Sequence, residues 1–355
     1  MNHYTELSPS AQAAYAQLLD ATQASELARS VATLRGSFAR KKVKGRTYWY
    51  FQYTEVSGVL RQLYVGPDSD RVRTLIEHHR EGGPTTALEP LARSAIVLGC
   101  SATLPIHFRV MRRLADYGFF KAGGVLVGTH AFLAFGNMLG VRWGDASRTQ
   151  DVDFAHAGKQ LAIALPTNLQ VDTHAAIESL EIGLLPIADL DGGMGSTYLS
   201  PRDPDFQIDF LTPLHRGGTA PFLHPQLGVK LQPLKFMEYL LEDVQQAAVM
   251  GNEGAVLATV PHPCRYALHK LMVHGERPLA KAVKANKDLR QAAALLDWCR
   301  TRFELDLREA WTDLVRRGPG WSTRAIRGRD ALARTAPDLD FRELLPAPRV
   351  KHRKG

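Results

Sequence analysis

The chain has 355 residues, 45% of them hydrophobic and 23% charged, which fits a folded body of two or three domains and excludes bulk disorder. Its formal charge of +8 is concentrated. From Arg35 to Arg61, seven basic residues (Arg35, Arg40, Lys41, Lys42, Lys44, Arg46, Arg61) meet Glu55 alone, and the tail contributes Arg349, Lys351, Arg353 and Lys354. The other 321 residues sum to −2, so a uniformly basic, histone-like coat is excluded. Cys100, Cys264 and Cys299 are odd in number, far apart and without CxxC or Cys/His metal spacing, which points to a reducing compartment, the cytoplasm, and away from a disulfide framework. The start, MNHYTELSPS, lacks the basic and apolar regions of a secretory signal. The apolar stretch 122–141 contains five glycines, His130 and Asn137, and reads as buried structure of a water-soluble protein, with no membrane partner.

In chain order, Ala14, Leu18, Leu19, Leu27, Val31 and Leu34 recur at helical spacing and predict a helix over 8–33 that ends at Gly36. Residues 37–65 predict a three-stranded meander with turns at Lys44-Gly45 and Ser57-Gly58. A polar helix over 69–81 follows, and Gly82-Gly83-Pro84-Thr85-Thr86 is the expected linker. Residues 91–118 read as one helix, bent at Pro105. A compact α/β region then runs from Gly123 to about Pro213, with strands at 125–127, 151–154, 195–199 and 206–211, and a turn over Ser200–Asp205. A hairpin over 244–260 turns at Gly251-Asn252-Glu253-Gly254, and beyond Pro263 helices are expected over 266–275 and 279–303, with two shorter ones before Pro346. The last ten residues are expected to fray.

Three features of the middle region carry chemistry. Val125-Leu126-Val127-Gly128-Thr129-His130 is an apolar strand that breaks at a glycine and enters a helix, with Thr129 as the expected cap; free amides and a hydroxyl at such a turn can hold phosphate oxygens. In Asp151-Val152-Asp153-Phe154 the two carboxylates share one face of a strand while Val152 and Phe154 enter the core. Like charges so placed repel unless a hard divalent cation lies between them. In Gln207-Ile208-Asp209-Phe210, a third acid stands in an apolar strand and needs a partner. If its strand lies beside that of Asp151 and Asp153, the three acids form a carboxylate triad suited to two metal ions and phosphoryl or nucleotidyl transfer.

This combination resembles the nucleotidyltransferase superfamily of DNA polymerase β. More narrowly, Val127-Gly128-Thr129-His130-Ala131-Phe132, Gly136-Asn137, Leu139-Gly140-Val141-Arg142-Trp143, Thr149-Gln150-Asp151-Val152-Asp153-Phe154 and Ile208-Asp209-Phe210-Leu211-Thr212-Pro213 resemble a bacterial family with this fold, distantly related to AbiEii-type toxin nucleotidyltransferases. Thr129 replaces the superfamily's commoner serine but keeps a hydroxyl, and the Asp153-to-Asp209 interval implies an insertion between core strands. The resemblance covers roughly residues 90–305 and implies an α+β fold with a polymerase β-like core; together with the elements above it gives an N-terminal helical and β-meander module over 1–85, a catalytic domain over 90–260, a C-terminal helical domain over 261–345 and a basic tail over 346–355.

The resemblance also implies roles. Gly128 and Thr129 would hold the β- and γ-phosphates of an NTP, with ATP among the candidates. Asp151, Asp153 and Asp209 would bind two Mg²⁺ ions, or Mn²⁺, and Asp209 would help deprotonate an acceptor hydroxyl. Lys270 and Asp288 match a phosphate-contacting lysine and a following acid in the related toxins. His130 is expected to be a packed, hydrogen-bonded residue, and Arg142 either reaches a phosphate or caps a helix. The run from Arg40 to Tyr53 interleaves Arg40, Lys41, Lys42, Lys44 and Arg46 with aromatic residues, a pattern that suits nucleic-acid phosphates and bases. It favours an RNA acceptor such as tRNA. A protein hydroxyl as acceptor, and a non-catalytic nucleic-acid-binding module, are the alternatives. Toxin activity, with an antitoxin or neighbouring-gene partner, rests on the distant resemblance alone.

Overall fold

The computed structural model describes residues 3–32, 37–54, 60–81, 88–144, 151–157, 170–188, 194–214, 218–274 and 282–348. In chain order these form β1 (Tyr4–Glu6), α1 (Pro9–Ala32), β2 (Ser37–Val43), β3 (Arg46–Thr54), β4 (Leu60–Pro67), α2 (Asp70–Glu81), α3 (Leu88–Leu98), α4 (Pro105–Asp116), β5 (Gly124–Val127), α5 (Gly128–Met138), β6 (Val141–Trp143) and β7 (Asp151–His156). There follow α6 (Thr173–Glu178), β8 (Leu185–Ala188), β9 (Met194–Ser200), β10 (Asp203–Pro213), β11 (Phe222–His224), β12 (Val229–Leu234), α7 (Met237–Leu241), β13 (Val244–Gly251) and β14 (Gly254–Pro261). The helices α8 (Pro263–His274), α9 (Ala282–Arg302), α10 (Glu304–Arg316) and α11 (Pro319–Thr335) complete a mixed α/β architecture.

The central sheet runs β11-β12-β10-β7-β5, with β7 parallel to β10 and antiparallel to β5. On the far side of β10, β9 pairs antiparallel with the first half of the strand and β12 parallel with its end. Alternation explains why these strands form. Val152, Phe154, Ile208 and Phe210 are each fully buried, and the Phe154 and Phe210 rings stack 5.6 Å apart. Burying each such side chain contributes roughly 1.5–3 kcal/mol. The intervening residues of β7 and β10 are acids and a glutamine, all turned to the opposite face.

Two smaller sheets flank this core, along with a short pairing of β1 with β6. The β13–β14 hairpin sends Ala247, Val249 and Ala258 into the main core, while Ala248 and Met250 join Leu7, Ala11, Tyr15 and Leu18 of the N-terminal segment and Ala92 and Ala95 of α3. Tyr15 Oη accepts from the Ala248 amide at 3.2 Å. The β2–β3–β4 meander has one face packed on α2, where the Phe38 and Phe51 rings lie 5.2 and 5.7 Å from that of His79. At the C-terminal end, α11 crosses α8 so closely that a Cβ on Gly328 would lie 2.2 Å from the Leu271 carbonyl oxygen.

Several expectations are corrected. The single helix over 91–118 is two, α3 and α4: Gly99, at φ +123°, takes the chain out of α3, and Pro105 opens α4. Arg142 donates to the Gly99 carbonyl at 2.7 Å, so of its two expected roles it takes the one at a helix end. The turn over Ser200–Asp205 is shorter than expected, because β10 already begins at Asp203 and carries an irregularity before Gln207. The elements β6, β8, β11, β12, α6 and α7 have only three to six residues each, too few to register as periodicity. Cys264 and Cys299, distant in sequence, bring their sulfurs within 3.4 Å between α8 and α9, both as free thiols. The Gly82–Thr86 linker, the Ser57-Gly58 turn, Thr149-Gln150 and the tail beyond residue 348 lie outside the described residues. Among the described residues, no helix is long and apolar enough to cross a membrane.

Candidate active site

The register of the central sheet sets one row of residues across three strands. Val127, the last residue of β5, stands opposite Asp153 of β7, and Asp153 stands opposite Asp209 of β10. Asp151 pairs with Gln207 in the same way. Cross-strand partners share a face, as do residues two apart on a strand. Asp151, Asp153 and Asp209 are therefore brought to one face, with the head of α5 at its edge.

At that edge Gly128 has φ +60°, and a Cβ there would lie 1.9 Å from Asp153 Oδ2. The glycine is required twice, by its backbone conformation and by the carboxylate against it. Thr129 does not cap α5 as expected. The N-cap is Val127, which provides no side-chain hydrogen bond, so the first turn of α5 is left with amides that its own cap leaves unsatisfied. Thr129 is one residue inside the helix, buried, with its hydroxyl accepting from Gln291 Nε2 at 3.3 Å.

Electrostatics mark Asp153 as the strained member. Burial, and next the charge of Asp209, push its carboxyl up to about 6; Lys270 opposes this, Asp151 adds to it, and Lys284 opposes it again. Asp209 is oriented by two donors, Thr197 Oγ1 at 2.6 Å on one oxygen and Gln207 Nε2 at 2.7 Å on the other. Asp151 receives the Lys284 ammonium at 3.1 Å. The acids thus point to different partners, and among the described residues no three His, Cys, Asp or Glu side chains are gathered as metal ligands. The donor set nevertheless fits a hard divalent cation. Three carboxylates lie on one face of neighbouring strands, which run roughly 4.8 Å apart. A raised carboxyl and an ammonium drawn onto its neighbour are what such a cluster shows when its negative charge is uncompensated.

The helices α8 and α9 face the acids. Lys270 and Asp288 form a buried ion pair at 2.7 Å. Burial works to lower the lysine's pKa, but Asp288, Tyr266 and Asp153 outweigh it and hold Lys270 firmly protonated. Lys287 shifts the other way, lowered by burial and by Lys270. Two residues that the sequence did not single out connect these helices to the Gly128 turn: the Tyr266 hydroxyl donates to the Gly128 carbonyl at 2.8 Å and lies 3.0 Å from Gln291 Oε1, whose amide nitrogen reaches Thr129. Lys284, Asp288 and Gln291 fall at positions i, i+4 and i+7 of α9. That spacing marked one helix face, but nothing in it said which face meets the acids.

His130 is buried, with Nε2 3.0 Å from Nδ1 of His107, and burial together with the nearby His107 lowers it to about 3. It is a packed, hydrogen-bonded residue, as expected. Arg40, Lys41, Lys42, Lys44 and Arg46 lie exposed on β2, β3 and the turn between them, in a sheet separate from that of the acids.

A family model described as "Nucleotidyltransferase" matches residues 106–316. Among solved structures, an antigenic nucleotidyltransferase-like protein from Paracoccidioides brasiliensis is similar over 70% of this chain and 95% of its own, at 13% identity and a TM-score of 0.34. No curated protein matches the chain. The family match takes in more than half of the sequence, from the start of α4 to the end of α10, and so includes both acid-bearing strands and the two helices that face them; the chain belongs to the nucleotidyltransferase family of enzymes.

Proposed function

We propose that the protein transfers a nucleoside monophosphate from an NTP to an acceptor hydroxyl on RNA, with Asp151, Asp153 and Asp209 as the reacting centre. The observation that carries this reading is the row Val127–Asp153–Asp209, which sets the Gly128 turn directly beside two of the acids. Gly128 and Thr129, at the open first turn of α5, would hold triphosphate oxygens. Lys270, kept protonated by Asp288, would add positive charge, and Asp288 would act through that lysine. Two divalent cations, Mg²⁺ or Mn²⁺, would be held by the three aspartates; when bound, they neutralise the triphosphate and activate the attacking oxygen. In the transfer, the acceptor oxygen bonds to the α-phosphorus as the bond to the pyrophosphate oxygen breaks, and the hydroxyl proton passes to Asp209.

RNA is favoured as acceptor by the exposed basic residues Lys41, Lys44 and Arg46, which have no part in the acid cluster. The test is incubation with each α-labelled NTP and Mg²⁺ in the presence of total RNA or of lysate protein. Label is expected in the RNA and is lost in Asp151→Ala and Asp153→Ala. Label in the protein fraction alone would replace RNA by a protein acceptor, and label in neither with any base would overturn the reading. The likeness to AbiEii-type toxins extends the proposal to growth arrest in the cytoplasm, relieved by a partner encoded nearby; expression of the wild type and of Asp151→Ala tests it, and unimpaired growth with the wild type refutes it.

A further inference from the structure

The β2–β3–β4 sheet has two different faces. On the side covered by α2 lie Phe38, Phe51 and His79. Arg40 belongs to that side. It stands opposite Trp49, and its charge acts on Asp68, which accepts from Trp49 Nε1 at 3.0 Å and from Arg73 at 2.9 Å. Lys42, two residues on, shares that side. On the other side Lys41 stands opposite Tyr48, sets its ammonium 4.7 Å from the centre of the Tyr50 ring and donates to Gln62 Oε1. Tyr64 stands opposite Tyr50, with its ring 5.5 Å from that of Tyr50 and 6.1 Å from that of Tyr48. Tyr64 is 59% exposed, and Tyr48 and Tyr50 are half-buried. Arg46, the first residue of β3, and Lys44, in the turn before it, extend the open side with positive charge. Strands β2, β3 and β4 together carry Arg40, Lys41, Lys42, Arg46 and Arg61, and no acid.

The geometry points to this open face as a binding surface for single-stranded RNA, with bases stacked on Tyr48, Tyr50 and Tyr64 and phosphates on Lys41, Lys44 and Arg46. The inference rests on the proposed reading in which RNA supplies the acceptor hydroxyl, and it divides the basic residues: Arg40 and Lys42 are left out of the contact. Charge complementarity argues for a polyanion over an apolar partner, because the exposed rings are interleaved with cations. The rings argue for single strands over duplex. A base reaches an aromatic face only when it is free of its own stack, whereas duplex phosphates would make no use of three tyrosines. A shared ring patch with an ammonium over it is the composition that stacks bases without choosing among them.

The test is fluorescence anisotropy of the full-length protein with a fluorescein-labelled 16-nucleotide RNA of mixed sequence, the same sequence as single-stranded DNA, and the RNA as a duplex, all without NTP or divalent metal. Single-stranded RNA is expected to bind at least about 10-fold more tightly than the duplex. Alanine at Tyr48, Tyr50 or Tyr64 should weaken it by about 5- to 160-fold, the range for loss of one stacked base. Phenylalanine at the same positions keeps the ring and should keep the affinity. Lys41→Ala should lower the salt dependence by roughly one phosphate contact, and Lys42→Ala should not. Duplex bound as tightly as single strand, equal losses for Lys41→Ala and Lys42→Ala, or alanine variants that fold and bind like wild type would overturn the inference. Preference for the DNA strand would overturn RNA as the ligand. Asp151→Ala should bind RNA normally. RNA labelling that survives loss of the tyrosines therefore refutes the platform alone, and intact binding without any labelling refutes the transfer reading alone.

Discussion

Replacing Asp153 with asparagine should stabilise the protein and at the same time remove its response to divalent metal. The carboxyl ordinarily titrates at 3.8 and is pushed up to about 6 here, first by burial and next by Asp209. A raised acid binds its proton more tightly folded than unfolded, so stability falls as pH rises from about 4 to about 6, and the full penalty applies above that window. At about 1.4 kcal/mol per pKa unit, the shift corresponds to an upper limit of about 3 kcal/mol. Asparagine cannot ionise and nearly keeps the shape beside Gly128. Urea denaturation followed by circular dichroism at pH 8 without metal should therefore show Asp153→Asn more stable than wild type by about 1–3 kcal/mol, with the difference vanishing near pH 4. Adding Mg²⁺ at ten times its dissociation constant should return about 1.4 kcal/mol to the wild type and little to the variant. An asparagine variant less stable than wild type at pH 8, or an advantage that persists unchanged to pH 4, would refute the assignment of uncompensated charge to this site.

Other expectations follow from single contacts. Gly128→Ala puts a Cβ against Asp153 in a left-handed backbone and should cost at least about 1–3 kcal/mol in thermal melts, with loss of nucleotide binding by calorimetry. Lys270→Met removes the ammonium paired with the buried Asp288 and should destabilise by about 3–5 kcal/mol, while the double change Lys270→Met with Asp288→Leu should recover much of that, as judged by urea midpoints. Tyr266→Phe removes the proton given to the Gly128 carbonyl, at a cost of about 1 kcal/mol in stability, and should raise KM for the NTP more than it lowers kcat. Gly328→Ala, with a Cβ 2.2 Å from the Leu271 carbonyl, should lower the melting temperature by forcing α11 off α8.

Much of the site was legible because its parts are local. Asp151 and Asp153 share a face by the two-residue repeat of a strand, and Val152 and Phe154 enter the core as that repeat requires. Gly128 was legible as a strand-to-helix break. What joins these parts was not. The pairing of Asp153 with Asp209 links strands separated by several intervening elements, and alternation along either strand is silent on its partner's register. Tyr266 carried only the signal of an apolar helix face, and its hydroxyl became informative once Gly128 stood 2.8 Å away. The break at Gly99 was hidden by apolar residues on both sides that continue a helical period across it. Cys264 and Cys299 meet only through the packing of two helices, which composition and spacing do not encode.

The β13–β14 hairpin gives the molecule a thermodynamic property beyond its contacts. Neighbouring residues of one strand, Ala247 and Ala248 or Val249 and Met250, belong to different cores. Neither core can loosen its grip on that ribbon without disturbing the alternation that serves the other, and a one-residue slip would exchange the two sets outright. The Gly251–Gly254 turn that holds the register thereby couples α1 to the sheet that carries the acids. Hydrogen exchange in α1 is accordingly expected to share its opening free energy with β5 and β7, making the N-terminal helix a reporter of the stability of the acid-bearing sheet.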